Sequence, residues 1–371
     1  MYKKILVINM MHIGDLLLVT PLLRTLRTNY KNAHIALLAD AKLSDLVKNN
    51  PNINELIAID KKGYHNRLKN YLAFVREIRQ KNFDLVINLH ANERASFCAA
   101  FSGAKKLIGY SSLGLGIMFH KLMKNRKELK HQVEAHLDVL REFLGVTEID
   151  NRGLEMYLDA DTEKRMDDFW QKNFGQASGY TTKETSFPVV ALNTGASWLT
   201  KRWCKESYAQ LADKLLQLNY GVVFLGGMMD KELVSEITAL MRQKNQPLLK
   251  IFTGELKLME LAAILKKCAV LVTNDSGPMH IAVAMDTPLV AMFGPSPVLG
   301  FAPYNDKSVS LKTPLSCHPC NKHFCDTLDC MKQIPVETVL EHTLELIKKY
   351  EHEPRPLRRN IGAYDCRVVE L

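Results

Sequence analysis

Short runs of β-branched and other apolar residues alternate with longer helix-like segments along most of this chain, and they form two series. The first series is Lys4–Asn9, His34–Ala39, Glu55–Ile59, Leu85–Leu89 and Leu107–Tyr110. The second series is Val189–Asn193, Val222–Gly226, Lys250–Thr253, Val270–Asn274 and Leu289–Phe293. Strands that alternate with helices predict parallel sheets covered by helices. We therefore predict an α/β fold of two Rossmann-like domains.

The segment between the two series, residues 173–188, is rich in Gly, Ser and Thr. This composition is typical of a linker or a long surface loop. We place an N-terminal domain at residues 1–178 and a C-terminal domain at residues 179–347, which suits a length of 371 residues. A helix is predicted over Val336–Tyr350, and the tail at residues 348–371 is expected to pack back on the first domain.

Composition excludes several classes of protein. Hydrophobic residues make up 47% and charged residues 24% of the chain, which argues against wholesale disorder and fibrous structure. The apolar runs are far shorter than the roughly 20 residues of a membrane-spanning helix. Residues 1–9 lack a small-residue cleavage site and are predicted to form the first strand rather than a signal peptide. We therefore expect a cytoplasmic protein.

The charge balance favours anionic partners. The chain has 49 basic and 40 acidic residues, a net charge of +9. Basic residues crowd one N-terminal stretch, namely Lys61, Lys62, Arg67, Lys69, Arg76, Arg79 and Lys81. A solvated helix face explains this stretch as well as a surface for an anionic substrate or lipid headgroup does. No zinc-finger, RNA-recognition or helix-turn-helix signature is present, so nucleic acid is not an expected partner.

The first strand leads directly into Gly14 and Asp15. This position puts a carboxylate at the carboxyl edge of the sheet, where open α/β sheets bind ligands. Gly14 stands without the two further glycines of the dinucleotide fingerprint, so a dehydrogenase is not indicated. Two roles remain open for Asp15: a helix cap or a catalytic base.

A second motif follows Val270–Asn274. The small residues Ser276 and Gly277 allow close backbone approach, and the helix that follows offers N–H groups and a positive dipole end. These features predict a diphosphate site. A capped helix with proline at its first position also explains Asp275, Ser276 and Pro278, but it does not explain His280 one turn later.

Two further loops follow strands of the second series. Thr194 and Gly195, with Lys201 after them, could bring a hydroxyl and a cation to phosphates. Asp230 could bring a carboxylate to a ribose diol. Trp198 and Trp203 flank Lys201 and either border the ligand or pack in the core.

The sequence around these motifs resembles a known family. Gly14-Asp15-Leu16-Leu17 with Thr20-Pro21, the run Asn274 to Ala284, and Pro288 to Phe293 with Gly294-Pro295 are similar to motifs of the bacterial ADP-heptose:lipopolysaccharide heptosyltransferases. The resemblance extends from about residue 3 to residue 347. It implies a GT-B fold, with two Rossmann-like domains facing a central cleft. It also implies inverting transfer of heptose from ADP-heptose to the lipopolysaccharide inner core at the cytoplasmic face of the inner membrane.

The resemblance also implies roles for individual residues, with no cofactor required for the chemistry. Asp15 would be the general base in an acceptor-binding N-terminal domain, and Lys201 would neutralise the leaving diphosphate. Asp230 stands where the family usually has a glutamate for the ribose, and Asp275 would contact the donor sugar. The residues expected to bind the donor are Gly14, Thr194, Gly195, Lys201, Asp230, Asp275, Ser276, Gly277 and His280.

The residues that contact the acceptor are inferred from their basic side chains and their place in the N-terminal domain, not from any motif. His65, Arg67, Lys69 and Arg94 are candidates for binding the phosphates or Kdo carboxylates of the core. The basic N-terminal stretch predicts peripheral contact with an anionic membrane surface.

Four of the eight cysteines cluster near the C-terminus: Cys317, Cys320, Cys325 and Cys330. Four thiols that begin with a C-x-x-C can form a tetrahedral site for zinc or iron. The later spacings differ from those of common paired C-x-x-C sites, so free thiols are the alternative. A similar cluster in one branch of the heptosyltransferases implies a structural role for such a metal. We expect isolated thiols at Cys98, Cys204, Cys268 and Cys366.

Two other functions fit parts of this pattern. One is a GT-B transferase that uses another nucleotide sugar or a non-core acceptor, such as a protein. The other is a non-catalytic nucleotide-binding protein, although such a protein could freely lose Asp15, Lys201 and Asp275, which are all present.

Overall fold

The computed structural model describes residues 2–112, 114–123, 130–175, 187–350 and 367–371. The chain divides into two compact units, an N-terminal unit Met1–Tyr157 and a C-terminal unit Leu158–Leu371. Each unit is built around one sheet. Among the described residues, no helix is both long and apolar enough to cross a membrane.

The N-terminal unit contains six strands and five α-helices among its described residues. They are β1 Lys4–Ile8, α1 Ile13–Leu17, α2 Thr20–Asn29, β2 His34–Asp40, β3 Glu55–Ile59, α3 Leu68–Gln80, β4 Leu85–Asn88, α4 Glu93–Phe101, β5 Lys106–Gly109, β6 Lys121–Leu122 and α5 Gln132–Leu144. The strands pair in the order β3-β2-β1-β4-β5-β6, and every pairing is parallel.

The described part of the C-terminal unit contains seven strands and eight α-helices. They are α6 Ala160–Trp170, β7 Val189–Asn193, α7 Lys205–Gln217, β8 Gly221–Leu225, α8 Lys231–Leu240, β9 Leu249–Ile251, α9 Leu258–Lys267, β10 Val270–Asn274, α10 Gly277–Ala284, β11 Leu289–Met292, α11 Val298–Phe301, β12 Ser308–Lys312, α12 Asp329–Lys332, α13 Val336–Tyr350 and β13 Arg367–Glu370. The strand order is β13-β12-β11-β10-β7-β8-β9, again with parallel pairings.

All ten predicted strands are present, each within two residues of its predicted ends, and the predicted α/β class with two Rossmann-like parallel sheets is confirmed. The strands were recognisable because parallel strands are covered on both faces and so carry continuous apolar runs. In β1, for example, the side chains from Ile5 to Ile8 are fully buried.

Both sheets reverse their strand order next to their first strand. In the N-terminal sheet the reversal lies between β1 and β4, and in the C-terminal sheet it lies between β7 and β10. Ligands of open α/β sheets bind outside the carboxyl ends of the strands at such a switch point. The fold therefore places the loops after β1 and β4, and those after β7 and β10, at two candidate binding positions.

The division between the units falls before the predicted boundary at 178/179, which itself lies outside the described residues. Helix α6 belongs with the C-terminal unit because its charged side chains bind α9: Arg165 donates to Glu260 at 3.0 Å, and Lys266 donates to Glu163 at 2.7 Å. Two elements of the predicted first domain, α6 and the π-helical turn Gln171–Gly175, are thus part of the C-terminal unit.

The N-terminal unit ends with a segment that returns to α2 through a buried ion pair. Arg24 donates to Glu155 at 2.8 Å, and both side chains are 3% exposed. Arg24 also pairs with Asp150 at 3.0 Å, while Asn50 and Asn52 donate to the other oxygen of Glu155. These contacts satisfy the buried carboxylate and attach residues 150–157 to this unit.

The end of the tail differs from the prediction. Strand β13 pairs with β12 in the C-terminal sheet rather than packing on the first domain. Its edge position lets the last residues complete the sheet through backbone hydrogen bonds, such as Leu371 N–H to the Lys312 carbonyl at 3.1 Å. Residues 351–366 lie outside the described part of the chain.

Candidate active site

A cavity of about 250 Å³ lies at the switch point of the N-terminal sheet. Its lining residues are Met11, Asp15, Leu89, His90, Ala91, Asn92, Tyr110, Gln132 and His136. They come from the loops after β1, β4 and β5 and from the start of α5. The fold thus combines the predicted carboxylate with polar side chains that lie far from it in sequence.

Asp15 is half-buried on the wall of this cavity. It occupies the third position of α1, and its Oδ2 accepts the backbone N–H of His12, the residue that precedes the helix, at 3.4 Å. That distance exceeds the usual 2.7–3.2 Å range of an N–H···O bond, so the capping contact is weak. The geometry leaves the carboxylate suited to contact a ligand in the cavity.

Helix α5 contributes two buried polar residues that the sequence analysis did not single out. Gln132 is 5% exposed and His136 is 2% exposed. Gln132 Nε2 lies 2.9 Å from His136 Nε2, and His136 Nδ1 lies 3.2 Å from the Leu18 carbonyl. A polar pair four residues apart on an otherwise apolar helix face was the available signal, because such pairs share one face of a helix.

The four residues predicted to bind the acceptor do not line this cavity. Arg94 donates to the Lys61 carbonyl at 2.8 Å and to Asn66 Oδ1 at 2.6 Å, so it fastens the loop after β3 to α4. His65 Nδ1 accepts the Asp60 N–H at 3.0 Å, within the same loop. Arg67, which precedes α3, and Lys69, in its first turn, are exposed.

In the C-terminal unit, the loops after β7, β10 and β11 meet through one carboxylate. Lys201 Nζ donates to Asp275 Oδ2 at 2.6 Å, and Ser296 Oγ donates to the same oxygen at 2.6 Å. The Lys201 side chain is 15% exposed and that of Asp275 is 7% exposed. Lys201 Nζ also lies 4.5 Å from the centre of the Trp198 ring, a cation–π contact. The predicted cation is thus held in place by a carboxylate and an aromatic face.

Helix α10 begins beside this pair without a side-chain cap. Ser276 precedes the helix, but its hydroxyl lies 3.0 Å from Asn193 Nδ2 and 3.2 Å from Thr273 Oγ1 instead of capping the first turn. Since Asp275 binds Lys201 and Ser296, the capped-helix alternative does not describe this motif. The first turn keeps the positive end of a helix dipole for an anionic ligand.

Two asparagines at the ends of β7 and β10 brace these loops. Asn193 Nδ2 donates to Thr273 Oγ1 at 2.9 Å, and Asn274 Nδ2 donates to the Thr194 carbonyl at 2.9 Å. Asn274 Oδ1 accepts the Trp203 N–H at 2.9 Å. Trp203 itself is 2% exposed and donates to the Ile334 carbonyl, so it is a core residue rather than a ligand border.

The loop after β8 brings Asp230 against the loop after β7. Asp230 accepts the Gly227 N–H at 2.9 Å and lies 3.8 Å from Arg202. A Cβ atom at Gly195 would lie 2.3 Å from Asp230 Oδ1, so only glycine permits this approach. Thr194 is fully buried, and its hydroxyl has no hydrogen-bond partner among the described residues.

Two predicted donor residues are buried within helices. Gly14 lies in α1, where its carbonyl accepts the Leu18 N–H at 2.9 Å. His280 is 4% exposed in the first turns of α10. Gly14 belongs to the N-terminal unit and His280 to the C-terminal unit.

The segment from Cys317 to Cys330, here called the cysteine strap, lies against the Lys201 loop. Thr200 Oγ1 donates to the Lys322 carbonyl at 2.8 Å, and the Trp198 and His323 rings stack with centres 3.8 Å apart. His318 Nδ1 lies 2.6 Å from the Gly294 carbonyl. The strap therefore supports two of the loops that form the site.

The four strap thiols are free. Burial raises the pKa of Cys330 to about 11, with further contributions from the nearby thiols of Cys320, Cys317 and Cys325. Within the described residues, which include all four, no three His, Cys, Asp or Glu side chains are arranged to hold a metal ion. The zinc or iron site therefore stays a prediction. Cys366 lies outside the described residues, while Cys98, Cys204 and Cys268 form no disulfide with another described residue.

The fold and the two clusters define a class of protein. Two Rossmann-like units with parallel sheets are the architecture of GT-B glycosyltransferases. The solved structure of the E. coli ADP-heptose lps heptosyltransferase II matches with a TM-score of 0.73 at 22% identity, over 94% of this chain and 99% of that chain. The predicted GT-B fold class is confirmed.

Comparisons with known families and proteins identify the family. The family model described as "Glycosyltransferase family 9 (heptosyltransferase)" matches residues 71–330. The chain is 26% identical to lipopolysaccharide heptosyltransferase 3 of Escherichia coli (strain K12) over 343 residues, 90% of this chain and 95% of that protein. The solved glycosyl transferase family 9 structure from Veillonella parvula has a TM-score of 0.83 at 33% identity, over 94% of this chain and 98% of that chain. This chain belongs to glycosyltransferase family 9, the heptosyltransferase family, as the motifs predicted.

Proposed function

We propose that this protein transfers a heptose from ADP-heptose to the inner core of lipopolysaccharide, with inversion at the anomeric carbon. The observation that carries the proposal is the Lys201–Asp275 pair, which holds an ammonium group beside the uncapped N-terminus of α10. The names of the E. coli relatives support the donor and the acceptor. The C-terminal unit would bind the nucleotide sugar and the N-terminal unit the acceptor.

In this proposal Asp15 is the general base. Its carboxylate takes the proton of the acceptor hydroxyl as the hydroxyl oxygen forms a bond to the anomeric carbon of the heptose. The bond from that carbon to the diphosphate oxygen breaks, and its electron pair leaves with ADP. A single displacement from the face opposite the leaving group inverts the configuration.

The departing diphosphate needs positive charge more than it needs a proton. Lys201 supplies an ammonium group, and Ser276 and Gly277 supply the start of a helix dipole, as developing charge on phosphate oxygens requires. Asp275 orients Lys201 and contacts the donor sugar, Asp230 binds the ribose, and Thr194, Gly195 and His280 complete the donor site of this unit. No step uses a metal or a cofactor, and the strap thiols take no part in the reaction.

Calorimetric titration with ADP, UDP and NAD tests the donor before any acceptor is needed. We expect ADP to bind and UDP and NAD to bind far more weakly. Transfer of heptose from ADP-heptose to a truncated core lipopolysaccharide, with the anomeric configuration of the product read by NMR, then tests the reaction. Preference for UDP would overturn the donor, and retention of configuration would overturn the single displacement.

We also propose that the enzyme works as a peripheral protein on the cytoplasmic face of the inner membrane. The exposed face of α3 carries Arg76 and Arg79, and the segment before it carries Tyr64 at 67% and Leu68 at 71% exposure. Basic and apolar side chains together favour an anionic lipid surface. The fraction of protein that sediments with anionic vesicles should fall as the salt concentration rises. A fraction that does not change with salt would contradict the electrostatic contact.

A further inference from the structure

We propose that Gln132 determines acceptor specificity, because its carbonyl oxygen accepts a hydrogen bond from a hydroxyl group on a neutral sugar face bound in the cavity beside Asp15. This inference rests on the proposed function, which supplies a sugar acceptor. It adds the chemical class of the group that enters this cavity: a hydroxylated, uncharged part of the acceptor rather than its phosphate or carboxylate.

The orientation of the Gln132 amide follows from its neighbour. A backbone carbonyl can only accept, so His136 Nδ1, 3.2 Å from the Leu18 carbonyl, carries a proton. In the neutral ring Nε2 is then an acceptor, so the group that Gln132 places 2.9 Å from it is the NH₂. The Gln132 carbonyl must therefore point away from His136.

That carbonyl oxygen has no hydrogen-bond partner among the described residues, although Gln132 is 5% exposed. Leaving a buried acceptor unsatisfied destabilises the fold, so a native structure seldom keeps one without a reason. Gln132 lines the cavity of about 250 Å³, which has room for water molecules or for part of a sugar that could donate to this oxygen.

The chemistry of the lining selects what can enter. Asp15 and the Gln132 carbonyl both accept hydrogen bonds, and the nine lining residues include two histidines, His90 and His136, but no lysine or arginine. The Asn92 carbonyl oxygen is already used, because it accepts the Ala95 N–H at 2.8 Å. Hydroxyl groups donate to such a surface, whereas a carboxylate or phosphate would meet the Asp15 charge without a lysine or arginine to balance it.

The test compares wild type with Gln132→Met, which keeps the volume of the side chain and removes the acceptor oxygen. With ADP-heptose and a truncated core lipopolysaccharide, kcat/KM for the acceptor should fall by about 10- to 100-fold. The KM for ADP-heptose and the ADP dissociation constant should stay at their wild-type values, since Gln132 lies in the other unit from the donor loops. An unchanged kcat/KM for the acceptor, or a matching rise in the donor KM, overturns the proposal.

Saturation-transfer NMR without any donor gives an independent readout. Methyl heptoside should bind wild type and lose its signal in Gln132→Met, while Kdo, which carries a carboxylate, should give a weaker signal that the substitution leaves unchanged. Equal signals from the two sugars on wild type overturn the inference. If wild type transfers no heptose, the proposed function fails, and these binding signals still decide what the cavity recognises.

Gln132→Glu serves if Gln132→Met does not fold. One carboxylate oxygen would accept from a protonated His136, and the other would keep an acceptor oxygen at this position. This variant should keep methyl heptoside binding, and its loss would contradict a role for an acceptor oxygen at this position.

Discussion

Lys201 and Asp275 are 74 positions apart in sequence, yet their charged groups lie 2.6 Å apart at the switch point of the C-terminal sheet. Ser296 shares the carboxylate oxygen, and the Trp198 ring lies beside the ammonium group. The contacts fix the cation in one place before any ligand arrives. Such preorganisation is what makes a charge effective at a developing anion.

Replacing Lys201 tests this arrangement most directly. Lys201→Met should lower kcat by about 10²–10³, since it removes one group that stabilises the leaving diphosphate, and it should weaken ADP binding. Steady-state kinetics and calorimetry measure the two effects. Lys205→Met is the matched control, because Lys205 forms an exposed pair with Glu236 at 3.2 Å and should behave as wild type. Equal activity in both variants would remove Lys201 from the mechanism.

Asp15→Asn should separate catalysis from donor binding. Losing a general base typically costs about 10²–10⁴ in rate, while ADP affinity should stay at the wild-type value because the donor loops belong to the other unit. The measurements are kcat with saturating substrates and calorimetric titration with ADP. An Asp15→Asn enzyme that turns over at the wild-type rate would show that Asp15 is not the base.

Gly195→Ala should impair donor binding through Asp230. The new Cβ would lie 2.3 Å from Asp230 Oδ1, so the carboxylate must move away from the loop after β7. We expect a raised KM for ADP-heptose and weaker ADP binding. Gly227→Ala is the control, since a Cβ there lies 3.8 Å from Asp230 and Gly227 has an ordinary φ of −84°. If the two variants bind ADP alike, Asp230 has no part in binding the nucleotide.

The N-terminal unit should lose stability in acid through Asp150. Burial raises the pKa of Asp150, but the hydrogen bond from Arg152 and the charge of Arg24 outweigh it and bring the pKa to about 2. A lowered folded-state pKa means that the stabilisation is present above about pH 4, the value for an unfolded aspartate, and is lost as the pH falls toward 2.

Urea unfolding of wild type and Asp150→Asn across this range measures the effect. The variant should be less stable than wild type at pH 6, and the difference should shrink between pH 4 and pH 2. Asp45→Asn is the control, because the Asp45 side chain is 59% exposed and pairs with Lys48 at 3.3 Å on the surface. A difference that stays constant with pH would contradict the role of the Asp150 charge.

Local sequence signals explain which parts of the fold were predictable. The ten predicted strands carry apolar runs, whereas β12, which the sequence pattern does not predict, contains Ser308, Ser310 and Lys312 in five residues. The loops after strands were predictable because parallel strands gather them at one edge. The position of the Gln132–His136 pair could not be predicted, since only the packing of α5 beside the loop after β1 brings it to Asp15. The acceptor residues chosen from charge alone do not line the cavity, because charge carries no information on tertiary position.

The cysteine strap also provides a position for a fluorescent probe that reports on the donor site. Hydrogen bonds from the backbone N–H groups of Leu328 and Thr327 lower the pKa of the exposed Cys325 thiol, whereas the pKa of Cys330 is raised. A maleimide dye should therefore label Cys325 well before Cys330, since the thiolate is the reactive form. The strap touches the Lys201 loop through Thr200 and Trp198, so the dye would report nucleotide arrival as a change in fluorescence while every phosphate-binding group stays intact.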